Sequence, residues 1–191
     1  MPDRLNTIVT RGGDAGETSL GDGSRRPKHD PRVCLLGDVD ELNASIGVVR
    51  AHGPDGDVDG VLEGVQHDLF DLGGALCFPG ATLLSPAHVR RLDDAAAALN
   101  ATLPPLKEFV LPGGAPIVAS LHVARTVCRR VERNASAFFS GGEEAAGLTA
   151  DAAAYLNRLS DYLFIAARTE ARRAGAGETL WQKSKSIAPG E

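Results

Sequence analysis

The chain has 191 residues, 43% of them hydrophobic and 24% charged, which suits one domain with a buried core. A formal net charge of −5 and an aromatic content of 5% argue against a general nucleic-acid binder, which needs a basic balance or stacking rings. No apolar run is long enough to span a bilayer and no signal-peptide pattern opens the chain, so the expectation is a cytoplasmic protein with no membrane partner.

In chain order, residues 1–30 are polar and glycine-rich, and Pro27 and Pro31 punctuate their end. Within them Thr10-Arg-Gly-Gly-Asp-Ala-Gly-Glu-Thr-Ser19 combines three glycines with hydroxyls and a cation. Glycine lets a ligand approach the backbone closely, and consecutive amides in such a turn can cradle an anion. Arg25-Arg-Pro-Lys28 adds three more cations. Neither the Walker A spacing nor the G-x-G-x-x-G fingerprint occurs.

Helical periodicity then takes over. Leu35, Val39, Leu42, Ile46 and Val49 mark a first amphipathic helix, ended by Gly53-Pro-Asp-Gly56. Val58, Val61, Leu62, Val65, Leu69, Leu72 and Leu76 mark a second. Ser85-Pro86 reads as a cap with proline at the first helical position, opening a third helix through Val89, Leu92, Ala96 and Leu99 to about Leu103. Phe109-Val-Leu-Pro-Gly-Gly114 is an extended loop. A fourth helix starts near Pro116 with Ile117, Leu121, Ala124, Cys128 and Val131 as its apolar stripe. The linker Ser140–Gly147 leads to a fifth, about Thr149 to Ala174, burying Leu156, Leu159, Leu163 and Ala166. With no convincing strand, the expected fold is all-α: a five-helix up-and-down bundle behind a glycine-rich N-terminal loop. One domain covers 1–191, with the loop at 1–30, the bundle at about 31–175 and a tail at 176–191.

Arg125, Arg129 and Arg133 recur every four residues on the fourth helix, with Arg130 and Glu132 beside them. Like charges at that spacing repel, and a polyanion would offset the repulsion, arginine's planar fork being well matched to phosphate oxygens. A solvated helix face with carboxylate partners elsewhere accounts for the same row. Cys34, Cys77 and Cys128 lack zinc or C-x-x-C spacing and read as reduced, buried thiols. The five histidines are scattered, so no protein-ligated metal is expected.

Six ordered segments resemble the PduO-type ATP:cob(I)alamin adenosyltransferases. They are Thr10–Ser19 with Arg25–Lys28, Gly37–Asn43, Gln66–Gly73, Phe109–Gly114, Arg125–Arg133 and Tyr155–Phe164, followed by Trp181. The resemblance implies a homotrimer with active sites between subunits and transfer of the 5′-deoxyadenosyl group of ATP to cobalamin. Reduced Co(I) attacks the ribose 5′ carbon, and inorganic triphosphate leaves. Carried over by position, ATP is bound by Thr10, Arg11, Gly12, Gly13, Thr18, Ser19, Lys28, Arg129, Arg130, Glu132, Arg133 and Asn157. Arg129, Arg133 and Lys28 stabilise the departing triphosphate together with Mg²⁺ held mainly through the phosphates. Phe109 matches the aromatic residue that displaces the lower axial base of cobalamin, and Asp40 and Arg125 match an ion pair across the subunit boundary. A flavin reductase and an adenosylcobalamin-dependent mutase are the partners implied; no nucleic acid is. The family's T-K-T-G-D-x-G becomes Thr10-Arg-Gly-Gly-Asp here, which keeps the charge but leaves Gly12 only its backbone. A non-catalytic ATP sensor and a purely structural helical trimer are the competing readings.

Overall fold

The computed structural model describes residues 9–78, 81, 84–140, 150–175 and 177–186. Helix starts follow from capping chemistry. Asp30 accepts a hydrogen bond from the Arg32 N–H at 2.9 Å and Pro31 takes the first turn, so α1 runs Pro31–Ala51. Gly53, at φ +66°, ends that run and α2 spans Gly56–Cys77. The Ser85 N–H donates to His88 Nδ1 at 3.1 Å, opening α3 (Pro86–Asn100). This helix stops short of the expected Leu103. Thr102 Oγ1 bonds back to the Leu99 carbonyl at 2.8 Å, and prolines at 104 and 105 bar continuation. α4 (Pro116–Phe139) and α5 (Ala150–Arg173) complete the set; residues 141–147 of the expected Ser140–Gly147 linker, and the expected helix start near Thr149, lie outside the described residues.

α1 packs on α2 and α4, α5 packs on α4 and α3, and α2 touches α3, so the five helices close on one another around a single core. Leu42, Ile46, Leu62, Leu69, Leu92, Leu121, Leu156 and Leu163 are fully buried, each contributing about 1.5–3 kcal/mol by leaving water. The α4 stripe is shifted from its expected start: Ile117 is only half-buried, while Val118, Ala135 and Phe138 join the core. One polar network crosses that core. Asp68 of α2 accepts from the buried Tyr155 hydroxyl of α5 at 2.7 Å and is ion-paired with Arg91 of α3. Three helices are thereby pinned at one point.

The expectation of no strand needs correction. Glu17–Ser19 (β1) and Arg25–Pro27 (β2) pair antiparallel, Thr18 opposite Arg26. Three-residue strands are too short to show alternation in a sequence. The turn between them supplies the missing signal: Gly23 takes φ +84° and Ser24 N–H donates to Asp22 Oδ1 at 2.8 Å. The hairpin is seated on the end of α2. Leu20 is buried, Gly21 N–H donates to the Cys77 carbonyl at 2.9 Å, and the Phe78 ring lies where a side chain on Gly21 would stand. The cysteines also divide: Cys128 is buried and Cys77 half-buried, but Cys34 is exposed because it lies off the α1 stripe, contrary to expectation.

Candidate functional site

The hairpin gathers seven of the sequence-derived residues. Thr18 and Ser19 lie on β1, Lys28 directly follows β2, and Thr10, Arg11, Gly12 and Gly13 form the approach to them. Arg11 adopts φ +57°, a left-handed turn that a non-glycine residue rarely takes. Arg25 closes the loop, donating to the Gly12 carbonyl at 2.9 Å and to Ser19 Oγ at 3.3 Å. Lys28 N–H donates to the Gly16 carbonyl at 2.9 Å, and its ammonium passes over Gly13 where no Cβ intervenes. The glycines thus let a lysine amine lie against bare backbone. Among the described residues, none of these seven is hydrogen-bonded to an arginine of α4.

On α4 the arginines have different surroundings. Arg130 is ion-paired with Glu41 of α1, so a carboxylate from another helix answers part of the repulsion inferred from the row. Arg133 Nη1 donates to the Arg129 carbonyl at 2.9 Å, and Asn157 of α5 donates to Glu132 Oε1 at 2.8 Å. Arg129 is exposed and paired with no carboxylate among the described residues. Glu41 and the Asp38–Asn134 contact at 2.7 Å were not singled out from sequence. Their signal, acids on α1 facing the polar side of α4, requires the packing of the two helices.

A third group surrounds Phe109. Its ring is 78% exposed at the mouth of a pocket of about 440 Å³ shared with Leu106, Lys107, Arg125 and Phe164. Arg125 is half-buried, its guanidinium 5.9 Å from the Phe164 ring centroid. Its Nε is buried without a partner among the described residues, and burial followed by the charge of Arg129 lowers its pKa. Beneath, His122 is 3% exposed and stacks obliquely on Phe164 at 6.2 Å. Burial first, then Arg125, lowers its pKa, with Glu178 opposing, so the imidazole is held neutral. Asp40 sits apart from Arg125, in a groove with Leu36, Asn43 and the exposed Phe70. No cluster of three or more His, Cys, Asp or Glu able to hold a metal occurs among the described residues.

A closed helical bundle carrying a basic glycine hairpin, an arginine row and an outward aromatic ring has the makings of a site for an anionic and a flat apolar ligand. Residues 8–170 match the family model described as cobalamin adenosyltransferase. The chain is 50% identical over 187 residues to a cobalamin adenosyltransferase of Cupriavidus metallidurans, covering 97% of this chain and 99% of that one. It is 44% identical over 190 residues to a corrinoid adenosyltransferase of Mycobacterium tuberculosis, covering 95% and 96%. The fold superposes with a TM-score of 0.82, at 30% identity, on a variant PduO-type ATP:corrinoid adenosyltransferase from Lactobacillus reuteri complexed with cobalamin and ATP, covering 93% of this chain and 100% of that one. The chain belongs to the cobalamin adenosyltransferase family.

Proposed function

We infer that the chain moves the 5′-deoxyadenosyl group of ATP onto the cobalt of reduced cob(I)alamin, giving adenosylcobalamin and inorganic triphosphate. The cobalt is the nucleophile and the ribose 5′ carbon its target, so the cobalt–carbon bond forms as the carbon–oxygen bond to triphosphate breaks. The hard step is the corrinoid's own chemistry, and the protein's work is alignment, exclusion of water and stabilisation of the leaving charge. The observation that supports this most is Phe109: a ring 78% exposed on a held loop, beside Arg125 and Phe164, suits a flat apolar face.

Thr10, Arg11, Gly12, Gly13, Thr18, Ser19 and Lys28 bind the triphosphate through backbone amides, hydroxyls and cations. Arg129 and Arg133 stabilise its developing charge, and Arg130, Glu132 and Asn157 join them in binding ATP. Mg²⁺ would enter with ATP and supply further neutralisation of the triphosphate charge, while Arg11, Lys28, Arg129, Arg130 and Arg133 would hold the anion. In a homotrimer the hairpin of one chain meets the arginine helix of its neighbour, which accounts for the two sets being unconnected within a single chain. Arg125, with a buried Nε lacking a partner, pairs with Asp40 of the adjoining chain. Phe109 occupies the lower face of the corrinoid in place of its axial base, which makes Co(II) easier to reduce. The enzyme works in the cytoplasm, receiving electrons from a flavin reductase and supplying an adenosylcobalamin-dependent mutase.

Anaerobic incubation with MgATP and chemically reduced cob(I)alamin tests the reaction, followed by absorbance and by released triphosphate. Adenosylcobalamin with one triphosphate per turnover is the expected result; ATP binding without turnover would instead support a nucleotide sensor. Phe109→Ala should lose rate with cob(II)alamin far more than it loses ATP affinity, measured as kcat against the dissociation constant of ATP.

A further inference from the structure

Arg168 has no part in the steps above, yet it is an arginine buried to 5% exposure on α5. Its guanidinium joins two separate segments. Nε donates to Glu178 Oε1 at 2.6 Å and Nη2 to Glu178 Oε2 at 3.3 Å, a two-pronged ion pair. Nη2 also donates to the Pro104 carbonyl at 2.9 Å. Pro104 lies five residues before Phe109, and Glu178 three before Trp181. Between those anchors the two segments run side by side: Leu111 N–H donates to the Thr179 carbonyl at 2.8 Å and Trp181 N–H to the Phe109 carbonyl at 2.7 Å, with Val110 opposite Leu180.

This unit adds little to the core. Leu106, Phe109, Leu111, Leu180 and Trp181 all remain exposed and only Val110 between them is half-buried, so apolar burial holds it weakly. Segments with few buried contacts open cheaply. Gly113 and Gly114, at φ +156° and +104°, turn the loop's other end through backbone conformations that glycine takes without side-chain strain. What is left to fix the height of the Phe109 ring is the short backbone ladder and the desolvated Arg168–Glu178 pair below it. We propose that Arg168 and Glu178 are positioning residues for Phe109, clamping residues 178–181 against the 104–111 loop so that the ring meets the corrinoid face. The assignment rests on the corrinoid reading of that loop and concerns the tail, which the reaction chemistry does not explain.

Trp181 is the chain's single tryptophan and sits in the clamped segment, so its fluorescence reads the clamp directly, without any corrinoid present. In the full chain, Glu178→Gln should roughly double acrylamide quenching of Trp181 as the segment loosens. It should also raise the KM for cob(I)alamin about tenfold while the KM for ATP changes less than about twofold, and helical circular dichroism should be unchanged. Arg168→Lys, which cannot keep both prongs and the Pro104 contact, should shift the same two readouts in the same direction. Unchanged quenching overturns the clamp. Increased quenching with an unchanged corrinoid KM, or ATP and corrinoid KM rising together, overturns its positioning role. Phe109→Ala separates the premises: normal corrinoid kinetics in that variant would remove the reading of the loop, while Trp181 quenching still decides whether the ion pair holds the tail.

Discussion

A single methyl group placed on Gly13 tests whether the Lys28 ammonium is a phosphate ligand. An ideal Cβ there would stand 3.1 Å from Lys28 Nζ, 3.2 Å from its Cε and 3.3 Å from the Glu17 carbonyl oxygen. Favourable contacts lie nearer 3.5–4.0 Å, so something must give by a few tenths of an ångström. Glu17 belongs to β1 and is held by its pairing with Pro27, so the lysine end moves. The same methyl on Gly12 would meet only Thr10 Oγ1, at an ordinary 3.6 Å. Neither glycine has a positive φ, so alanine carries no backbone strain at either position. The two variants therefore differ only in what the methyl touches. A hydrogen bond to a charged group contributes about 1.5–3 kcal/mol, which bounds the loss at roughly 10- to 150-fold. Because a lysine stem flexes, the lower end is expected: about tenfold weaker ATP binding for Gly13→Ala and less than about twofold for Gly12→Ala. Calorimetric titration with MgATP measures both. In a Lys28→Ala background the Gly13 effect should vanish, as coupling through one shared partner requires. Equal losses at the two glycines, or a Gly13 effect that persists without Lys28, would refute the reasoning.

Arg129→Ala should cut kcat by about 10²–10³, as removal of a pre-organised donor to developing charge does, and near-wild-type turnover would remove it from the site. Tyr155→Phe deletes the hydroxyl that donates to Asp68 at 2.7 Å in the core; a loss of about 1.5–3 kcal/mol should lower Tm by roughly 3–12 °C with kcat retained, as read by calorimetry. His122, buried and with its pKa lowered, favours the neutral ring. Its contribution is whole above the unfolded pKa of about 6.5 and declines as pH falls below it, by at most about 1.4 kcal/mol per pH unit. His122→Gln should flatten the fall in Tm between about pH 7 and pH 5, and an unaltered slope would exclude His122 as its source.

The helices and most of their buried faces were legible from local patterns. Leu35, Val39, Leu42, Ile46 and Val49 repeat at helical spacing, and all five are buried. Ser85-Pro86 marks a helix start through chemistry confined to a few neighbouring residues, whereas the Asp30 cap of α1 came from the structure. The hairpin was missed because three paired residues per strand carry no periodicity, and its seat is the end of a helix some fifty residues away.

What sequence alone determined is whatever acts over one or two turns: the existence and order of the helices, most of their apolar stripes, the row Arg125, Arg129, Arg133, and the glycine-rich turn before the first helix. Tertiary structure decided the partners. It gave Arg130 a carboxylate on α1, 89 positions away, and gave Arg129 none among the described residues. It turned Phe109 outward and joined Arg168 to Glu178 beneath it. Periodicity states which side of a helix a residue occupies. Whether a charge there meets an acid, a ligand or water depends on which other helix packs against that side, and that is set by the assembled core.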